Sequence, residues 1–478
     1  MKCRLFIIIF ALVIIPQTFG VGQSEGSGSN RGTYLTRGGY IIPAEQVKID
    51  QYIAQYDYDY PLPSQGDLTV TTASGIKDGS VYAQIGLKGN KVPFAEIPPL
   101  NITFCIDRSG SMTNLMLWVK DSFYVFIDQV RDGDIISLVD QNHQAQTLIP
   151  PTVIQSQADR TRFKREVDRI VANGMTDIYA GMLQSYREVE KNYDPRYVNR
   201  VVILTDGMHN FGEMINRDIL NMASEYREKG INVFVVLLGI AADTGLMTDI
   251  AIEGGGSSRF ISDHDEMVRI FQTELDRMLV PSARELKMRL VLSDGVTLGD
   301  TWGYKNFQEN NTVNYYVSTL HNGDYETIFA ELSLSASAGS IGSFYLDYID
   351  LESNHKSLGP FQIARPAENS GQHINDVRVR EAEGLLTLAR GLIDIGNKSM
   401  RIANLQGELS RYSSRSPQRN DVVQQIRLEC IQNLEIVSRL RNYLSGINES
   451  LGGGKYEKEL EILENYNRTF TEVYNIYD

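Results

Sequence analysis

Asp107, Ser109 and Ser111 alternate along FCIDRSGSMTN, residues 104–114, where an apolar run ends. Alternate side chains of an extended backbone point to the same side, so one carboxylate and two hydroxyls converge there. Such a set serves a serine nucleophile, a hydroxyl that caps a helix, or an oxygen cage around a hard cation. Two further residues belong to the same edge. Asp206 closes a second apolar run, RVVILTD, and Thr176 lies in GMTDIYAG, where a helix opens. Five oxygen-bearing side chains without His or Cys suit Mg²⁺, Mn²⁺ or Ca²⁺. Hydroxyls carry no charge, so two carboxylates leave a divalent ion under-neutralised and receptive to an acidic oxygen from outside. A nucleophilic Ser109 needs a positioned base; His143 and His209 are predicted at this edge, and GxSxG is absent. Capping accounts for Ser111 and Thr176 but not for two strands that both end in Asp. Arg108, between Asp107 and Ser109, is expected to point away from them, solvated or flanking the sheet.

These residues need a sheet to hold them. From Leu100 onward, continuous apolar strands (Leu100–Ile106, DIISLVD, RVVILT and INVFVVLLGI) alternate with amphipathic helices near 115–130, 160–172, 178–192, 215–229 and 266–279. That order predicts a multidomain α/β chain whose residues 98–280 form a doubly wound, mostly parallel, Rossmann-like sheet. In such a sheet ligands sit beyond the carboxyl ends of the strands, where Asp107 and Asp206 are. Residues 281–363 alternate apolar and polar between turn signals and read as a β-sandwich-like region. Residues 373–478 read as a helical bundle or hairpin, with a break near Gly396–Asn397 and a stop at the GGG of 452–454. Ahead of the sheet, residues 34–97 form an α+β module packing with the β-region, with a helix over 44–55 and two strands. The Tyr-rich YDYDYP is expected to pack at a domain junction. Residues 21–33 and 364–372 read as linkers.

A chain of 478 residues exceeds one core, and a net charge of −14 disfavours nucleic acid as a partner. Residues 1–20 carry Lys2 and Arg4, then LFIIIFALVII, then small residues before a cut after Gly20. This is the pattern of a secretory signal peptide, so the mature chain is expected to be exported, to periplasm, cell surface or medium, without a transmembrane segment. Cys105 and Cys430 are expected to be buried thiols rather than a disulfide.

The order DRSGS at 107–111, Thr176, Asp206 resembles the von Willebrand factor A domain with a metal-ion-dependent adhesion site, whose pattern is Asp-x-Ser-x-Ser, then Thr, then Asp. The resemblance implies that Ser109, Ser111 and Thr176 reach the ion directly, and that Asp107 and Asp206 bind directly or through water. Mg²⁺ is the first expectation on abundance and compactness, with Mn²⁺ or Ca²⁺ as alternatives. It also implies a protein partner offering an exposed Asp or Glu. Met175, Asp177, Met208, His209 and Asn210 are the expected rim. The flanks, from IIPAEQVKIDQYIAQYDYDYPLP through GLKG to the β-region, resemble bacterial exported A-domain proteins of the YfbK-like kind. Three functions follow: a non-enzymatic metal-dependent binding protein, a structural envelope protein whose ion stabilises the fold, or a hydrolase.

Overall fold

Leu100–Asp107 is buried along its whole length, and a strand of that kind needs cover on both faces. The computed structural model describes residues 28–54, 56–93, 96–207, 213–239, 244–261, 264–273, 281–350, 354–367, 374–413 and 416–477. Numbered along the chain, its strands are β1 (Leu68–Lys77), β2 (Ser80–Gly89), β3 (Leu100–Asp107), β4 (Ile135–Gln141), β5 (Ala145–Val153), β6 (Val198–Thr205), β7 (Asn232–Leu238), β8 (Ser258–Ile261), β9 (Pro281–Leu292), β10 (Val296–Trp302), β11 (Asn306–Glu309), β12 (Thr312–His321), β13 (Tyr325–Leu334), β14 (Ser340–Ile349) and β15 (His355–Ala364).

One sheet has the order β5-β4-β3-β6-β7-β8; it is parallel except for β5, which runs antiparallel to β4. Side-chain alternation divides its interior. Ile102, Phe104, Ile106, Leu204 and Val236 join one core with the helix Met116–Gln129. Cys105, Val201, Ile203 and Val235 join the other with the helix Ile178–Glu190. This is the doubly wound sheet that the sequence predicts. Ile106 pairs with Leu204, so Asp107 is level with Thr205 and Asp206 lies one residue beyond.

The β-region is two sheets, β1-β2-β13-β10 and β11-β12-β9-β14-β15, with an apolar core between them. The hairpin β1–β2 pairs through β2 with β13, so the front module completes a sheet of the β-region rather than standing beside it. The outer face of this four-stranded sheet is covered as well. Tyr82 stacks on Phe329 at 5.4 Å, and both join the core of the helices Val377–Leu409, Pro417–Ser450 and Glu457–Ile476. Tyr58 and Tyr60 of the Tyr-rich segment are buried in that junction.

Three local expectations change. The helix Gly28–Arg37 begins inside the stretch read as a linker, because tertiary contacts hold it: Thr33 donates to the Lys458 carbonyl at 3.1 Å and Arg37 pairs with Glu461 at 2.5 Å. The helix expected over 44–55 is a 3₁₀ turn, Ala44–Gln46, and a short helix, Ile49–Ile53, with Val47 extended and buried between them. Gly396 does not break its helix, which runs unbroken from Val377 to Leu409. A Cβ there would lie 2.6 Å from Ala44 N and 2.8 Å from Ile42 O, so the glycine admits a passing backbone. Cys105 and Cys430 are buried free thiols, as expected, and burial pushes each up to about 12.

The α/β unit meets the β-region at the end of the sheet opposite Asp107. Arg200, at the start of β6, faces His321 of β12, with Nη1 and Nε2 3.5 Å apart, and both residues are buried. Thr319 Oγ1 donates to the Gly255 carbonyl at 3.0 Å. The Asn322 side chain accepts from Val92 N–H at 2.7 Å and donates to its carbonyl at 2.8 Å.

Candidate metal site

The chain leaves β3 at Asp107 and turns at once, because Arg108 N–H bonds the Gln141 carbonyl at the end of β4, 2.8 Å away. Ser109 opens a 3₁₀ turn, Gly110–Asn114, without spending its side chain on a cap. Its Oγ lies 3.1 Å from Ser111 Oγ; Ser109 is buried and Ser111 exposed. The hydroxyls therefore form a pair that opens outward. The loop carrying Thr176 is laced to this one. Gly110 N–H bonds the Gly174 carbonyl at 3.0 Å, and Asn173 N–H bonds the Arg108 carbonyl at 2.7 Å. Thr176 is buried and does not cap the following helix; that role falls to Asp177, whose Oδ1 accepts from Ala180 N–H at 3.0 Å. The capping alternative thus fails for Ser111 and Thr176.

Asp107 is fully buried. Its Oδ1 accepts from Ser109 N–H at 2.8 Å, and its Oδ2 accepts from the Thr205 hydroxyl at 2.7 Å. Burial above all, and then the charge of Asp206, push its carboxyl up to about 6, although these hydrogen bonds favour the charged form. Two buried carboxylates at one sheet edge, beside the hydroxyls of Ser109 and Ser111, fit a hard cation. Among the described residues no three Asp, Glu, His or Cys side chains gather at one metal-sized point, so any ion here depends on the hydroxyls.

Arg108 does not neutralise the pair. Its guanidinium is neither solvated nor idle: Nε meets Asp140 at 2.7 Å and Nη1 meets Asn173 Oδ1 at 2.5 Å. Asn142 Nδ2 reaches the same Asn173 oxygen at 3.0 Å. Arg108 thus ties β3, β4 and the Thr176 loop together. Burial raises Asp140 from the ordinary carboxylate value, and Arg108 opposes that rise.

Sequence reasoning named the five oxygen donors but missed Thr205, Asn173 and Asp140, which hold them. Thr205 was visible as the hydroxyl beside Asp206; the other two reveal themselves only through the fold. Of the expected rim, Met175 is 57% exposed beside Thr176. Asp177 is half-buried and engaged as a cap. Met208, His209 and Asn210 lie outside the described residues. Among the described residues no histidine hydrogen-bonds to Ser109. His143 sits against Gly174, where an added Cβ would lie 3.1 Å from its Nδ1.

Residues 101–273 match the von Willebrand factor type A domain family. The uncharacterized protein YfbK of Escherichia coli K12 is 25% identical over 254 residues, covering 52% of this chain and 44% of YfbK. The inter-alpha-trypsin inhibitor heavy chain H2 of Mesocricetus auratus is 26% identical over 169 residues, covering 34% of this chain and 18% of its own. The chain thus spans less than half the length of either relative. Among solved structures, a von Willebrand factor type A protein from Catenulispora acidiphila aligns with a TM-score of 0.48 and 17% identity, covering 81% of this chain and 91% of that one.

Proposed function

Residues 101–273 form a von Willebrand factor type A domain, and from that premise we propose that the chain is an exported, non-enzymatic protein that binds a protein partner through a divalent cation. Ser109, Ser111 and Thr176 would hold the ion, with Asp107 and Asp206 behind or beside them. The observation that carries this reading is the outward-opening hydroxyl pair, Ser109 and Ser111, set against a buried Asp107 whose charge the fold alone stabilises poorly. When bound, the cation supplies a Lewis-acidic position that an Asp or Glu of the partner completes, and Mg²⁺ is the proposed ion. Met175 beside it offers exposed apolar surface to that partner. Export rests on the signal-like residues 1–20; no described helix is long and apolar enough to cross a membrane. The hydrolase reading needs a base on Ser109; among the described residues no histidine hydrogen-bonds to it, and the candidate His209 lies outside them.

The test is a thermal melt of the chain in EDTA and then in Mg²⁺, Mn²⁺ or Ca²⁺, beside Ser111→Ala. Ser111 is exposed, so its loss leaves the fold intact. An ion at a hundred times its Kd stabilises by about 2.7 kcal/mol, which moves the melt upward by several degrees. No shift in any of the three ions would overturn the metal reading. A shift without EDTA-sensitive capture of a partner from envelope extracts would leave a fold-stabilising ion in its place.

A further inference from the structure

The four-stranded sheet of the β-region is covered on both faces, but on the outer face of the five-stranded sheet Lys287, Arg289, Phe307 and Tyr316 are exposed among the described residues. Register fixes what stands there. Lys287 lies opposite Tyr316 on one side and Asp347 on the other; Arg289 lies opposite Asn314 and Tyr345; Asn314 lies opposite Phe307. With Lys305, just before β11, Lys287, Arg289, Phe307, Asn314, Tyr316 and Asp347 line a groove of about 510 Å³. Phe307 is 67% exposed and Tyr316 52%, an unusual outlay of aromatic surface for solvent alone.

Within the groove Lys287, Arg289 and Lys305 stand against one carboxylate, Asp347, while Glu285 and Glu309 flank the groove on the same face. Asp347 is already engaged by Arg289 at 3.3 Å and by Ser357 Oγ at 2.6 Å. Arg289 also lies over the Tyr345 ring at 5.2 Å, a cation–π contact that helps to hold it on the face. Among the described residues neither lysine is ion-paired. Exposed Tyr and Phe beside fixed Arg is the composition of the centre of a protein interface. β11 is the edge of the sheet and all four of its residues are exposed, so an extended chain can add beside it and set alternate side chains in the row of Lys305 and Phe307.

We propose that this face docks an extended acidic segment of another protein, its backbone along β11 and its carboxylates over Lys305, Lys287 and Arg289. The site is separate from the cation site and works without the ion.

The experiment is an anisotropy titration of the full chain, in EDTA, with a fluorescein-labelled peptide of alternating Glu and Val. A Lys–Val peptide, the double variant Lys287→Glu/Lys305→Glu and the variant Phe307→Ser serve as comparisons. All three substituted positions are exposed, so folding is preserved and a circular dichroism melt confirms it. The expected result is binding of the Glu peptide alone, weakened about tenfold or more by the double variant and by added salt. Equal binding of both peptides, or no effect of the variants, overturns the proposal. So does binding of polygalacturonate in place of the peptide, which would make the face a polysaccharide site. A dimer in sedimentation that the double variant abolishes would make the occupant a second copy and overturn it likewise.

Discussion

The Thr205 hydroxyl donates to Asp107 Oδ2 at 2.7 Å while accepting the Gly207 N–H at 2.9 Å. One side chain therefore orients a carboxylate of the candidate metal site and fixes the turn that carries the chain past Asp206. Thr205→Val keeps the shape and removes both bonds. The substitution leaves a buried carboxylate oxygen short of a donor, at a cost of about 1–3 kcal/mol. Metal affinity is expected to fall by about 10- to 100-fold, as when other groups that orient metal ligands are lost. Mn²⁺ titration by electron paramagnetic resonance measures it. An unchanged Mn²⁺ affinity with a lowered melt would confine Thr205 to folding.

Arg108 stands between two ligands and yet serves the loops around them. Its planar fork reaches Asp140 and Asn173 at once, a geometry an ammonium group does not reproduce. Arg108→Lys is expected to weaken Mn²⁺ binding about tenfold, because the Ser109–Ser111 loop and the Thr176 loop lose their shared tie. Asn173→Ala should reproduce much of that loss, and the double variant should add little, since both remove one interaction. Fully additive losses in the double-mutant cycle would show that the two residues do not act through each other.

Five donors were legible in the sequence because each sits at a strand end or a helix start, where local pattern alone fixes direction. The sequence predicts that Arg108 points away from the donors, solvated or flanking the sheet, and it does flank the sheet; its partners Asp140 and Asn173 come from a neighbouring strand and another loop, which a single segment does not contain. The parallel sheet was legible for a similar reason: Leu100–Asp107 and Asn232–Leu238 are too apolar to be anything but covered strands. The pairing of β2 with β13 was not, since antiparallel partners far apart in the chain carry no local mark of each other. Residues 44–55 show the same limit from the other side. Their apolar spacing suits a helix, but docking of Ile42 and Ala44 on Gly396 decides the backbone there.

Gly396 provides a direct test of that docking. In an exposed helix, Gly→Ala stabilises by about 1 kcal/mol. Here the added methyl would meet Ala44 N at 2.6 Å and Ile42 O at 2.8 Å, both backbone atoms with little room to yield. Gly396→Ala is therefore expected to destabilise by about 1–3 kcal/mol, the range for overpacking. Urea denaturation gives the sign. A stabilised variant would mean that the segment 42–44 does not rest on this helix.

His321 makes the junction between the α/β unit and the β-region sensitive to acid. Burial first, and Arg200 second, hold its imidazole well below the ordinary histidine value. The folded chain therefore keeps His321 neutral, while the unfolded chain protonates it below about pH 6.5. Below that pH the unfolded state binds the extra proton, so stability falls as pH falls, by up to about 1.4 kcal/mol per pH unit. Several groups act in the opposite sense: burial raises the Glu326 carboxyl to about 8 and lifts Asp140 and Glu381 above the ordinary carboxylate value. The Asp107 carboxyl is raised to about 6 and takes up a proton in the folded state as pH falls, and the half-buried His264, raised by Asp121, is favoured in its charged form. The net slope of the native chain alone is therefore not diagnostic, whereas its difference from His321→Gln is. Chemical denaturation of both chains between about pH 7 and pH 5 should show the native chain losing stability faster than the variant, by about 1 kcal/mol per unit below pH 6.5. Parallel curves would mean that His321 titrates normally in the folded chain, and that water reaches the contact between Arg200 and β12.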